Sequence, residues 1–474
     1  MKKTGNITEM TSGSPFLHIM KFTLPLLIGN LFQQLYNMTD SIVVGNAVGK
    51  NALASVGCCA SSTFLFFSLC AGMSIGIGVM VSQYFGAKEE GKVRSTISNS
   101  FYILVVLGLL VSVAAFFVTP LLLSLLQVPD ELFRDAVIYL QTSCFGIVFI
   151  GLYNGVAGIL RALGDSKTPL YFLIFSSIMN VVLDLVFVLG LDMGVFGVAL
   201  ATVISQIVSA VASIVYAYCT NPYFRLQKEE WKPDYKLLTG CVRLGIPVAL
   251  QNSMIAVSLM ALQGIVNQFG ANVMAAFTVV SRIEQIVQQP YSSLGTAITN
   301  FSGQNMGAGN VERVKKGFRV SVLIILIFSL AMIPLAYIFG EDIVRLFVKN
   351  EPEVVRIGAS AIRINSLCYF ALGMIYVPRA VLNGTGDTGF AMLNGFVEVA
   401  CRILYSVILT RIPVIGFWGI WITTGLTWVT TSVFCPIRYL GGKWKKKGIV
   451  KTPGAGATIN ELPGKHKYKL RNCQ

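Results

Sequence analysis

Charge is what this chain has least of. Charged residues make up 12% of its 474 residues, against about 25% in a soluble domain. Histidine is nearly absent: His18 and His466 are the only two, and both lie near the ends. There is accordingly no HExxH, no nucleophile elbow and no arguable Ser/His/Asp set, so an enzyme, including an intramembrane one, is not expected. Ten cysteines are present, but most sit inside apolar runs, and no CxxC or Cys/His ligand spacing occurs. They read as small buried hydrophobes rather than as a disulfide or zinc framework. Gly86-Ala87-Lys88-Glu89-Glu90-Gly91-Lys92-Val93 approaches a phosphate-binding loop, yet Val93 stands where a Ser or Thr must reach magnesium, and no strand precedes it. Nucleotide hydrolysis is thus not expected as an internal energy source, and no organic cofactor is expected. The polar residues 1–15 run directly into a full apolar span, which does not fit a cleaved signal peptide.

What the chain has instead is hydrocarbon. It is 54% hydrophobic, with a mean hydropathy of +0.69. Apolar runs fall at 16–45, 53–82, 95–118, 134–160, 169–190 and 195–219, then at 241–268, 273–302, 318–339, 355–382, 390–411 and 416–440. Each is long enough for a bilayer, which needs roughly 20 residues. The expected fold is an all-α polytopic membrane protein of twelve transmembrane helices. The net charge of +15 does not imply nucleic acid, because its distribution is that of a membrane protein. Of the 37 Lys and Arg, 25 fall in the two termini and in alternate loops. This positive-inside pattern places both termini in the cytoplasm. Lys445-Lys446-Lys447 reads as an anchor beside anionic headgroups.

The chain also repeats itself. Pro25 recurs as Pro247, Gln83 to Ala87 as Gln304 to Ala308, Gly164-Asp165 as Gly386-Asp387, and Thr202 as Thr424, always 221 or 222 residues apart. The domain reading follows: a cytoplasmic segment 1–15, a first lobe 16–219, a polar linker 220–240, a second lobe 241–440 and a flexible basic tail 441–474. Six spans per lobe is an even number, so the two repeats should be parallel, a construction used by secondary transporters. The GxxxG spacings Gly72–Gly76 and Gly151–Gly155 are read as close helix packing. Pro25 lies inside the first span; it marks either a static kink or a bend whose angle differs between states.

Of 22 acids, only Asp40, Asp184, Glu284 and Glu398 fall clearly inside spans. An ionisable group at the bilayer centre costs about 2.5–3.5 kcal/mol on insertion scales, so it is expected to be paired or used. Glu398 and Arg402 are four apart and can pair on one helix, and Glu284 has Arg282 nearby. Arg363 is left as a further intramembrane cation. Asp40 and Asp184 differ, since no Lys or Arg lies at their depth in the first lobe. Asn180 shares a helix face with Asp184, and Thr202 lies on the next span. This set of oxygen donors suits a hard cation such as sodium, or a carboxyl that carries a proton. The repeat maps Asn180 onto Arg402 and Asp184 onto Ser406, so the charge site is one-sided.

The stretch from Pro25 through Gly29-Asn30-Leu31-Phe32-Gln33-Gln34-Leu35-Tyr36-Asn37-Met38-Thr39-Asp40 to Val44-Gly45 resembles the first span of the multidrug and toxic compound extrusion (MATE) family. Gln83-Tyr84-Phe85-Gly86-Ala87 and Arg161-Ala162-Leu163-Gly164-Asp165 resemble its loops, and the likeness runs from about residue 15 to 440. The resemblance implies a V-shaped pair of six-helix bundles that expels organic compounds by sodium or proton antiport. Within the family the chain looks most like the DinF-like branch. There the first-lobe cation site matches Asp40, Asn180, Asp184 and Thr202, and a bending proline matches Pro25. A NorM-like branch uses an acid in span seven, and residues 246–268 contain none.

The expected function is therefore a proton- and/or sodium-coupled antiporter, with possible Na binding at Asp40, Asn180, Asp184 and Thr202. Tyr36, Asn37, Asn154 and Glu284 are the candidate substrate-cleft residues. The expected partners are small amphipathic organic compounds and membrane lipids, with no nucleic acid, and the chain is expected to be a monomer. The expected location is the plasma membrane of a bacterium or archaeon. The alternative is a flippase for lipid-linked precursors; its polyanionic headgroups would call for a cleft lined with Arg or Lys, and Arg282, Arg363 and Arg402 keep it open.

Overall fold

A backbone in hydrocarbon must satisfy its own N–H and C=O groups, and a helix does so within one segment. The computed structural model describes residues 6–126, 128–348 and 351–450, apart from the side chains of residues 40–44, 46, 47, 50, 51, 53 and 61. Among the described residues every regular element is helical. The first half comprises α1 (Pro15–Ala47), α2 (Lys50–Gly86), α3 (Glu90–Leu125), α4 (Asp130–Cys144), α5 (Ile147–Ala162), α6 (Lys167–Asp184) and α7 (Gly194–Thr220). The second comprises α8 (Tyr235–Val266), α9 (Ala271–Gly307), α10 (Val311–Arg345), α11 (Pro352–Ser366), α12 (Tyr369–Gly384), α13 (Thr388–Thr410) and α14 (Gly419–Leu440).

Among the described residues fourteen helices make twelve passes, because two passes are broken. α4 and α5 meet at 47°, and α11 and α12 meet at 51°. The sequence reads each pair as one apolar run. At both breaks the backbone tightens to three-residue spacing, with Phe145 N–H on Thr142 C=O and Cys368 N–H on Asn365 C=O. The breaks recur 222 residues apart, as do both ends of each pair.

Among the described residues nine helices are long and apolar enough to cross a membrane, or eleven when each bent pair is one span. The twelfth pass, α9, falls short because it carries Ser281, Glu284, Gln288, Ser293 and Asn300. Its place in the fold explains its polarity. α9 packs against α1, α2, α10, α11 and α12, so protein rather than lipid surrounds it. The reverse holds for α3 and α10, which are strongly apolar and little buried, as lipid-facing helices should be.

The halves join at one end. α2 crosses α8 so closely that a Cβ on Gly72 would lie 2.3 Å from the Ala249 Cα, and one on Gly76 would lie 2.5 Å from the Gly245 nitrogen. Ser68 Oγ and Ser253 Oγ bond at 2.9 Å, and Asn30 Nδ2 donates to Ser293 Oγ at 3.0 Å. Both pairs lie near the middle of their helices. The remaining hydrogen bonds between halves, among the described residues, lie from there to the end where α2, α5, α9 and α12 finish. This is the end with the Lys- and Arg-rich loops, called the basic end below. Toward the far end the halves share no hydrogen bond among the described residues, and the two bundles form a V.

The polar linker and the start of the tail are both packed. The linker lies on α3: Tyr102 donates to the Trp231 carbonyl at 2.8 Å, Asp234 N–H donates to Asn99 Oδ1 at 2.9 Å, and Ser98 Oγ donates to the Glu230 carbonyl. Residues 441–450 of the tail also dock. Trp444 is buried, stacks on Tyr439 at 5.3 Å between ring centres, and donates Nε1–H to the Tyr439 carbonyl. The flexible tail expected from composition therefore does not begin at residue 441; residues 451–474 lie outside the described residues.

Gly76→Ala forces a methyl into the backbone of Gly245, which has no room to yield. Overpacking of this kind costs about 1–3 kcal/mol. A thermal melt in detergent should show a lowered transition, whereas Gly57→Ala on the same helix, where a Cβ meets nothing within 4 Å, should be neutral or stabilising.

Candidate functional site

The first-lobe candidates come together on α6. Asn180 and Asp184 stand four apart on one face and are 2% and 0% exposed. The α-helical pattern ends at Asp184 and widens into a π-helical stretch, Leu185–Gly190. Such stretches are rare and are frequent at functional positions. α1 packs directly on α6, with Gly29 fitted against Leu170 and Leu173. From α1, Tyr36 donates its hydroxyl to Asn180 Oδ1. Thr202 sits on α7, the other neighbour of α6, and its hydroxyl bonds the Val198 carbonyl of its own helix at 3.1 Å. Asp40 follows Tyr36 by one turn of α1, but its side chain lies outside the described residues. The donors so placed are all oxygens. Among the described residues no three His, Cys, Asp or Glu side chains cluster. What remains suits a hard monovalent ion or a proton rather than a transition metal.

Pro25 lies inside α1, which continues as helix on both sides of it. A proline there leaves the Lys21 carbonyl without its helical donor. Asn37 is exposed, and its Oδ1 accepts from Gln33 Nε2 at 3.1 Å. Asn154 turns back to its own helix and donates to the Ile150 carbonyl at 2.8 Å.

Glu284 is elsewhere. It lines a cavity of about 70 Å³ in the second half, between α8, α9, α12, α13 and α14. The four cleft candidates are thus divided between the two lobes. Glu284 does not pair with Arg282, which is exposed on another face of α9. Its carboxylate accepts from Asn365 Nδ2 instead. Glu398 and Arg402 also line this cavity and pair at 2.8 Å, with side chains 8% and 4% exposed. Arg363, read from sequence as an unpaired intramembrane cation, reaches Glu341 at 3.6 Å near the far end of α10. Sequence reasoning missed the rest of the lining. Tyr376 donates to Gln288 at 3.3 Å, and the Arg379 guanidinium lies 4.9 Å from the Tyr376 ring centre. Asn365 and Gln288 carry no charge to draw attention in a sequence. Arg379 stands near a span end, where an arginine is commonplace.

The geometry can be set beside known proteins. The MatE family matches residues 25–186 and again 247–408, two stretches offset by 222 residues. The chain is 29% identical over 447 residues to the probable multidrug resistance protein YpnP of Bacillus subtilis, covering 92% of this chain and 97% of that protein. It is 25% identical over 441 residues to the probable multidrug resistance protein NorM of Thermotoga maritima, covering 91% and 94%. Its fold is similar to the outward-facing conformation of a multidrug resistance MATE family transporter, with TM-score 0.87, 23% identity, and 94% and 100% coverage. A MATE protein in a bent conformation gives TM-score 0.86 at 23% identity, covering 94% and 99%.

The buried pair in the second half has a measurable signature. Arg402→Met leaves Glu398 charged and alone, a loss of about 3–5 kcal/mol. The double variant Glu398→Leu/Arg402→Met should recover most of that loss in a thermal melt. An equal loss in both would mean that the pair is not what the single change disrupts.

Proposed function

The chain belongs to the MatE family, and from that membership we propose that it exports small amphipathic organic compounds across a membrane in exchange for protons, sodium ions or both. The single observation that carries the coupling is the bond from Tyr36 on α1 to Asn180 on α6, one turn from the fully buried Asp184. A cation visiting Asp184 draws on the Asn180 oxygen, which Tyr36 now occupies. A proton on Asp184 instead removes its charge and turns an acceptor into a donor. Either event changes how α1 is held to α6, and Pro25, with its missing helix bond, gives α1 a place to bend. A cargo bound between the lobes then meets two states of different affinity, which is the requirement for coupled exchange. Asp40, one turn beyond Tyr36, and Thr202 on α7 are assigned to the same site.

Relatives named for multidrug resistance support a cargo of drug-like compounds. The basic loops support a cytoplasmic position for the basic end and both termini, in the plasma membrane of a bacterium or archaeon. The duplicated bundle is self-contained, which supports a monomer among lipids. The flippase alternative is less well supported: Arg402 and Arg363, two cations that a polyanionic headgroup would need, are held by Glu398 and Glu341.

The test is uptake of a cationic dye by everted vesicles, with sodium and proton gradients imposed separately. Asp40→Asn and Asp184→Asn should reduce gradient-driven uptake to background while the protein still inserts. Tyr36→Phe loses one part-buried hydrogen bond, about 1 kcal/mol, so the ion concentration for half-maximal uptake should shift about fivefold. Undiminished uptake in both acid variants rejects the coupling assignment.

A further inference from the structure

The basic end holds a second arrangement that transport alone does not explain. The helix ends of α2 and α9 meet backbone to backbone. A Cβ on Gly86 would lie 1.9 Å from the Gln304 carbonyl oxygen, and one on Gly307 would lie 1.8 Å from the Gln83 carbonyl oxygen. The two contacts are the same contact seen from each half, since Gly86 and Gly307 are repeat equivalents, as are Gln83 and Gln304. The glutamine side chains continue the exchange. Both are 0% exposed. Gln83 Nε2 donates at 2.9 Å to the carbonyl of Gly384, which ends α12 in the second half. Gln304 Nε2 donates at 2.8 Å to the carbonyl of Ala162, which ends α5 in the first half. These acceptors are helix-end carbonyls that have no partner within their own helices.

Each glutamine also accepts from a terminal segment. Met10 N–H donates to Gln304 Oε1 at 2.8 Å, and Ile449 N–H donates to Gln83 Oε1 at 2.7 Å. Both segments are anchored on the two halves at once. Thr8 N–H donates to the Leu163 carbonyl of the first half at 3.2 Å, two residues before Met10 meets Gln304 of the second. Arg313 at the start of α10 donates to the carbonyls of Met10 at 3.1 Å and Gly13 at 2.7 Å, and to that of Ser12. In the tail, the Phe318–Tyr439 and Tyr439–Trp444 stacks hold the chain to the second half before Ile449 crosses to Gln83 of the first.

We propose that Gln83 and Gln304 are a reciprocal latch that shuts the basic-end mouth between the lobes, and that residues 8–13 and 447–449 are straps that must leave the glutamines each time this mouth opens. This rests on the transport reading, which requires each mouth to open in turn. The latch accounts for what the coupling site does not. The bundles part only toward the far end, every hydrogen bond between halves among the described residues lies between mid-span and the basic end, and neither glutamine touches the cleft residues. Gln83 and Gln304 are positioning residues: they set which mouth is open, and they need not meet the cargo. Opening exchanges four protein hydrogen bonds for bonds to water at a mouth that faces water, so the step is reversible.

The experiment uses the full chain in lipid nanodiscs, with spin labels introduced as non-canonical amino acids at the exposed repeat-end positions Glu90 and Lys316. Pulsed electron–electron distance measurement should give one short separation for the parent. Gln83→Ala/Gln304→Ala should raise the long-separation fraction several-fold, and a label pair across the far-end mouth should shorten in step. If the double alanine variant does not fold, Arg313→Gln, on the half-exposed rim, removes three of the bonds that hold the first strap and should shift the same distances in the same direction, by less. Unchanged separations in a folded variant overturn the latch. The measurement needs no cargo. A distance shift in a protein that moves no dye would keep the latch and remove the transport reading, and dye transport with unshifted distances would do the opposite.

Discussion

The close approach of α2 to α8 and α9 is the contact on which the rest of the molecule depends. Glycine and alanine along this seam allow backbones to touch where a larger side chain would hold them apart. Hydrocarbon offers two bundles no hydrophobic reason to associate, so van der Waals contact and hydrogen bonds must do it. Because the seam occupies only part of the helix length, the bundles meet along one end and diverge beyond it. The cleft is the geometric remainder of that partial contact.

Duplication supplied the scaffold, and divergence supplied the chemistry. The α4–α5 and α11–α12 breaks correspond residue for residue at a spacing of 222. Gly164 and Gly386 both adopt left-handed φ, 88° and 92°, in matching turns. The aspartates that follow have already parted: Asp165 caps the start of α6 through Lys167 and Thr168 N–H, whereas Asp387 pairs with Arg438 at 2.7 Å. Deeper in the membrane the difference is larger. The first half has an amide and an acid at 180 and 184, and the second has an arginine, already neutralised by Glu398, and a serine. One lobe keeps an acid in a place where burial is costly, and the other has closed its charge account internally.

The twelve passes, the two lobes and the face shared by Asn180 and Asp184 were legible in the sequence, because hydropathy and helical spacing report directly on solvent and side. The Glu398–Arg402 pair was legible for the same reason. The breaks in passes four and ten were not, since a bent helix and a straight one have the same composition when both lie in lipid. The partner of Glu284 was misread: proximity in sequence suggested Arg282, but two residues along a helix turn the side chain away, and Asn365 arrives from 81 positions further on. The docking of residues 441–450 was hidden because a run of lysines dominates the composition while the packing is done by the buried Trp444 and the half-buried Ile449 and Val450. The side chain of Asp40 lies outside the described residues, so its place in the site rests on the sequence and the family.

The bond between Ile449 and Gln83 spans 366 positions of chain. At the ribosome Gln83 precedes Ile449 by 366 residues. During that interval an uncapped amide of the first bundle waits at the water boundary while the second bundle is still being threaded. The first half is therefore made well before its seam can close, and membrane insertion must tolerate an open seam while the intervening chain is translated.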